Sequence, residues 1–98
     1  MARFDVYRAA RTKGYLLDCQ SDLLSTLATR VVVPLLPANS TLAATRLNPV
    51  FDIEGDRFVM QTPMIVSLPK DRLTQPVASL DEFHLEIMAA IDMLWSGV

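Results

Sequence analysis

The chain has 98 residues, 51% hydrophobic and 20% charged, with a net charge of −2 and a single cysteine. That length bounds it to one small domain, residues 1–98, with a small core, and its apolar content excludes a disordered chain. No apolar run approaches the ~18 residues of a membrane span, the opening residues carry no signal-peptide stretch, and lone Cys19 supplies no disulfide framework, so a cytoplasmic location is expected.

Phe4 and Val6 alternate with Arg3, Asp5 and Tyr7, which predicts a first strand. Arg8 to Lys13 is polar and ends at Gly14, a turn. Tyr15, Leu17 and Cys19 alternate with Leu16, Asp18 and Gln20, which completes an N-terminal hairpin. Gln20-Ser21-Asp22 breaks the pattern, and Leu23-Leu24 follows directly. Thr29 to Leu36 carries the β-branched run Val31-Val32-Val33, suited to a buried strand, while Pro34 predicts an edge position or a bulge. Pro37 to Ala44 reads as a loop with a short helical turn. Asn48–Ile53 and Arg57–Thr62 flank Glu54-Gly55-Asp56, the clearest hairpin in the chain. Met64 to Leu68 is a sixth apolar stretch, and Lys70 to Ala78 reads as polar linker.

The last segment differs in kind. Ser79 followed three residues later by Glu82 forms a capping-box pattern. Phe83, Ile87, Ala90, Ile91 and Leu94 recur at helical spacing, which predicts a helix from Leu80 to Ser96, about 25 Å long, ended by Gly97. Strands followed by one helix give an α+β domain. Met88, Met93 and Trp95 fall outside the stripe that faces the sheet, so a second apolar face is present. So small a domain has little groove to bury it, and a protein–protein surface including a dimer seam is expected. Asp92 opposes the helix dipole among apolar neighbours, so it requires a partner or a role.

Charge is unevenly placed. Residues 1–46 carry +3 and residues 47–98 carry −5. Arg3, Arg8, Arg11 and Lys13 crowd the first fourteen residues, and the final nineteen hold four carboxylates with no Lys or Arg. Broad nucleic-acid binding is disfavoured, and an acidic protein partner at the N-terminal cluster is the better match. No metal-ligand motif, phosphate loop or nucleophile motif occurs, so neither a catalytic residue nor a cofactor is assigned. His84 reads as an exposed surface histidine, Cys19 as a buried small hydrophobe, and the Asp52, Glu54, Asp56 cluster as a solvated turn too short to wrap a cation.

In chain order these pieces resemble the CcdB family of toxins. The resemblance runs through Phe4-Asp5-Val6-Tyr7, Leu17-Asp18-Cys19-Gln20-Ser21-Asp22-Leu23-Leu24, Thr29-Arg30-Val31-Val32-Val33-Pro34-Leu35, Asn48-Pro49-Val50-Phe51, Met60-Gln61-Thr62, Val66-Ser67-Leu68-Pro69 and the acidic helix. It implies an SH3-like small antiparallel β-barrel with a C-terminal α-helix, assembled as a symmetric homodimer. It implies a non-enzymatic toxin of a type II toxin–antitoxin module that binds the DNA gyrase A subunit, traps the cleaved-DNA complex and is neutralised by a cognate antitoxin.

Carried over residue by residue, the resemblance implies gyrase contacts at Leu23, Leu24, Asp92, Trp95, Ser96, Gly97 and Val98. Within that homodimer, Ile91 and Leu94 are expected to help form the seam while Asp92, Trp95, Gly97 and Val98 point outward. Arg8, Arg11 and Lys13 match the region the family offers to its antitoxin. The best-known member has Asn where this chain has Asp92, and Trp directly before the terminal Gly, where this chain has Ser96. A step of one turns a side chain about 100° around a helix, so either the last turn unwinds to present Trp95 or Ser96 takes the contact. The rival reading is a PemK-like endoribonuclease of messenger RNA, with Arg30 beside Thr29 or Arg46 beside Thr45. A third is a non-toxic orphan interaction module.

Overall fold

The computed structural model describes residues 2–38 and 44–97. Among them are strands β1 (Asp5–Arg8), β2 (Tyr15–Asp18), β3 (Thr29–Pro37), β4 (Val50–Ile53), β5 (Asp56–Met60), β6 (Val66–Pro69) and β7 (Ala78–Ser79), followed by helix α1 (His84–Ser96). All seven strands belong to one antiparallel sheet in the order β4-β5-β3-β2-β1-β7, with β6 also on β3. The result is an α+β fold: a nearly closed, SH3-like small β-barrel with a C-terminal helix. Most of the loop expected at Pro37–Ala44 lies outside the described residues.

The nine residues of β3 organise the barrel. One edge pairs with β2; the other pairs first with β6, through Thr29 to Val32, and then with β5, through Leu35 to Pro37. Pro34 falls where the partner changes. Its carbonyl accepts the Gln61 N–H at 2.9 Å, and its missing N–H lies on that same side, where the ladder is interrupted anyway. The edge position or bulge expected for this strand is therefore corrected to a central strand with a gap. The β4–β5 connection is also tighter than expected. Ile53 pairs with Asp56, and Glu54 and Gly55 take φ of 52° and 89°, the two left-handed positions of a type I′ turn.

Both faces of the sheet are covered. On one, Ile87, Ala90 and Ile91 of α1 pack against Val6, Leu17, Val33 and Leu35. On the other, Tyr7 and Val32 are sealed by Leu73, with Leu16 and Leu68 beside them. The stretch expected to be polar linker thus returns across the barrel through a 3-10 turn at Lys70–Arg72 and pairs with β1 as β7. Asp18 and Arg30 are enclosed on this second face, with 0% and 1% of their side chains exposed, and Arg30 Nη2 donates to Asp18 Oδ2 at 2.6 Å.

The helix begins later than the spacing predicts. Ser79 is held in β7 opposite Asp5, and the Leu80 N–H goes to the Phe4 carbonyl at 2.9 Å, so neither is free to open a helix. Ser79 Oγ accepts the Asp81 N–H at 3.2 Å, a 3-10 turn spans Asp81–Phe83, and α1 starts at His84 with no side-chain cap. The expected capping box does not form. The C-terminus follows expectation: Gly97 adopts φ 77° and its N–H closes on the Met93 carbonyl at 2.9 Å.

Candidate functional site

Among the described residues the exposed large apolar side chains are Leu23, Leu24, Leu27, Met64, Val66, Leu85 and Trp95, and three of them, Leu24, Leu27 and Trp95, meet at one groove. After β2 the chain makes a 3-10 turn over Asp22–Leu24 with no buried residue in it. Leu23 is 92% exposed, Leu24 48% and Leu27 47%. At the other end of the sequence, Trp95 is 67% exposed on the last turn of α1. Leu24, Leu27 and Trp95 line one groove of about 340 Å³, together with Val31, Ile65 and the edges of Met88 and Ile91. Arg3 bounds it, its guanidinium donating to Met88 Sδ at 2.9 Å.

The helix stays regular to Ser96, so the last turn does not unwind. Trp95 reaches solvent from a helical position, and Ser96 Oγ donates to its own helix at the Asp92 carbonyl, 2.7 Å away. Asp92 is exposed and makes no ion pair among the described residues. Gly97 is exposed beyond the helix, and Val98 lies outside the described residues. Of the two residues expected at a dimer seam, Ile91 is 7% exposed and packs into the core, with only an edge toward the groove; Leu94 is half-buried. Burial fits Ile91, which is one turn from Ile87 on the face that meets the sheet.

Leu27, Ile65 and Val31 are groove residues that sequence reasoning missed. Leu27 carried a signal, an aliphatic side chain in a polar stretch. Ile65 and Val31 carried none, since each sits in an apolar run that reads as core.

Cys19 forms part of the groove floor, 7% exposed. Burial above all, with the nearby Asp18 charge, pushes its thiol up to about 12, so it stays protonated and inert.

The basic hairpin occupies a different place. Arg8 Nη2 donates to both carboxylate oxygens of Glu54 at 3.0 Å, and Tyr15 Oη donates to Glu54 Oε2 at 3.1 Å. That contact and burial raise the Tyr15 phenol above its usual range, burial being the larger cause. Arg11 and Lys13 are exposed at the tip. Arg8, Arg11 and Arg72 rim a second groove floored by Leu16 and Leu68. Arg72 arrives on the returning segment, which the linker reading hid.

Of the residues offered for RNA cleavage, Arg30 is sealed in the barrel against Asp18 and cannot meet a substrate. Thr45 Oγ1 accepts the Asn48 N–H at 3.0 Å and serves its own turn.

A small barrel that leaves three large apolar side chains around one groove beside the end of its helix has the kind of surface found on protein-docking modules. The family model described as CcdB protein matches residues 3–97. The chain belongs to the CcdB family, the gyrase-poisoning toxins of toxin–antitoxin modules, which are not themselves enzymes. No helix among the described residues is long and apolar enough to cross a membrane.

Proposed function

We propose that this chain acts as a cytoplasmic homodimer that binds the DNA gyrase A subunit through Leu23, Leu24, Asp92, Trp95, Ser96, Gly97 and Val98. Its cognate antitoxin lands on the basic hairpin at Arg8, Arg11 and Lys13. The observation that carries this reading is the shared groove: Leu24, Leu27 and Trp95 come from opposite ends of the sequence and stand exposed around one depression. A monomer gains nothing by leaving these side chains in water, whereas an aromatic beside an apolar pocket is a common interface hot spot. Ile91 and Leu94 are the helix residues proposed for the seam, and half-buried Leu94 is the one that offers surface to it, since the exposed edge of Ile91 faces the groove. A two-fold dimer suits a two-fold target because it presents the same tip to both halves.

Asp92 gives the proposed surface one unpaired negative charge, so the gyrase surface opposite it supplies a cation or a hydrogen-bond donor. Removal of residues 96–98 tests the reading. The shortened chain is expected to remain a folded dimer by sedimentation, to lose gyrase A binding, and to stop arresting growth on induction. Full toxicity in the shortened chain would overturn the assignment of the tip.

A further inference from the structure

The exposed turn that carries Leu23 and Leu24 has no buried apolar anchor of its own, since every residue from Asp22 to Thr29 is exposed and Leu24 and Leu27 are only half covered at the groove. Three consecutive polar side chains hold it instead. Gln20, 6% exposed, accepts the Val31 N–H at Oε1 (3.1 Å) and donates from Nε2 to the Leu24 carbonyl (3.0 Å). Ser21 Oγ accepts the Leu23 N–H at 3.2 Å. Asp22 Oδ1 accepts the Arg3 N–H at 2.9 Å. Behind them, Asp18 Oδ1 accepts the Gln20 N–H at 3.1 Å while Asp18 Oδ2 holds Arg30. A continuous polar chain therefore runs from the buried ion pair to the backbone carbonyl of an exposed leucine.

We propose that Gln20, Ser21 and Asp22 are positioning residues for target binding. They fix the turn so that Leu23 and Leu24 are already oriented when the partner arrives. This rests on the reading that those two leucines touch gyrase. A loop without buried apolar anchors samples many conformations, and ordering it on binding would subtract from affinity. The clamp meets that ordering cost during folding. Apart from the Gln20 bond to the Val31 N–H of β3, it serves the leucines rather than the barrel, because the turn contributes no side chain to the core.

The test uses the full chain and a purified bacterial gyrase A subunit, with the variants Ser21→Ala, Ser21→Thr, Gln20→Met and Leu24→Ala. Affinity, urea midpoint and amide hydrogen exchange are measured for each. Loss of one hydrogen bond to the turn corresponds to roughly five- to tenfold in an equilibrium, so Ser21→Ala, which loses the Leu23 bond, and Gln20→Met, which loses the Leu24 bond and also frees the Val31 N–H of β3, are each expected to weaken binding by at least about that factor. Exchange is expected to speed up across residues 22–27 in both and to hold steady in the strands, except at Val31 in Gln20→Met, where the amide loses its acceptor. Ser21→Thr, which keeps the hydroxyl, is expected to restore both. If Leu24→Ala weakens binding while Ser21→Ala and Gln20→Met bind as the parent does, the clamp is refuted and the leucine contact stands. Normal binding by Leu24→Ala overturns the contact and the clamp together. Faster exchange throughout the strands in Ser21→Ala, without rescue by Thr, overturns the positioning role in favour of a structural one.

Discussion

Replacing Asp18 by Asn should be among the most damaging single changes in this barrel. The carboxylate is fully buried and takes two hydrogen bonds from Arg30, from Nε at 3.0 Å and Nη2 at 2.6 Å. Its other oxygen takes the Gln20 N–H. Asn leaves a guanidinium that is 1% exposed without its counter-charge. Removing one partner of such a pair costs about 3–5 kcal/mol, against roughly 5–15 kcal/mol for the whole of a small domain. With a urea slope of about 1–2 kcal/mol/M, the unfolding midpoint should fall by roughly 1.5–5 M at unchanged slope.

The double variant Asp18→Leu with Arg30→Met separates the cost of a lost charge partner from the worth of the pair. It removes both charges, and with them Arg30 Nη1, which is buried without an acceptor among the described residues of the parent. It also strips the Gln20 N–H of its acceptor, at about 1–3 kcal/mol. Apolar replacement of an imperfectly satisfied pair is often neutral or stabilising, so the double variant should lie within about 2 kcal/mol of the parent and well above Asp18→Asn. Far-UV circular dichroism in urea at one fixed protein concentration reads both, since self-association would shift the midpoint. A midpoint drop under ~0.5 M for Asp18→Asn, or a double variant as weak as the single one, would refute the reasoning.

Other consequences are as definite. The native Cys19 thiol keeps its proton to about 12 while the unfolded thiol releases it near 9, so this residue's contribution is intact below pH 9 and is lost progressively as pH rises toward 12. Urea midpoints from pH 8 to 10.5 should fall more steeply in the parent than in Cys19→Ala; parallel profiles would contradict this. The residual slope belongs partly to Tyr7 and Tyr15, both raised chiefly by burial. Gly97→Ala meets no neighbour within 4 Å among the described residues but must hold φ near 77°, so it should lose about 1 kcal/mol through backbone strain; parental stability would mean the left-handed cap is not retained. Reversing Arg11 and Lys13 to Glu should leave the urea midpoint unchanged and slow association with an acidic antitoxin, with a flatter salt dependence. An unchanged association rate would remove the hairpin from the antitoxin surface.

What the sequence made legible, and what it hid, follows from the range over which each interaction acts. Alternation at Val6, Leu17 and Cys19 and helical spacing at Ile87, Ala90 and Ile91 are local, and all six are buried in the main cluster as the pattern requires. Tyr7 and Asp18 alternate with those core positions and so read as solvent-facing, yet both are fully buried. Period two reports which residues share a face, while the cover on the opposite face comes from Leu73, more than fifty residues away. The same blindness led the strand pattern to miss Ile65 and Val31 at the groove. The exposed leucines were legible for a different reason. Leu23 and Leu24 follow three polar residues that interrupt the strand, and those residues are the ones bonded to the turn. A break in periodicity followed by unexplained aliphatics thus marks a place where polar chemistry holds apolar groups outside the core. That is the condition under which a small barrel keeps a sticky surface without burying it in itself.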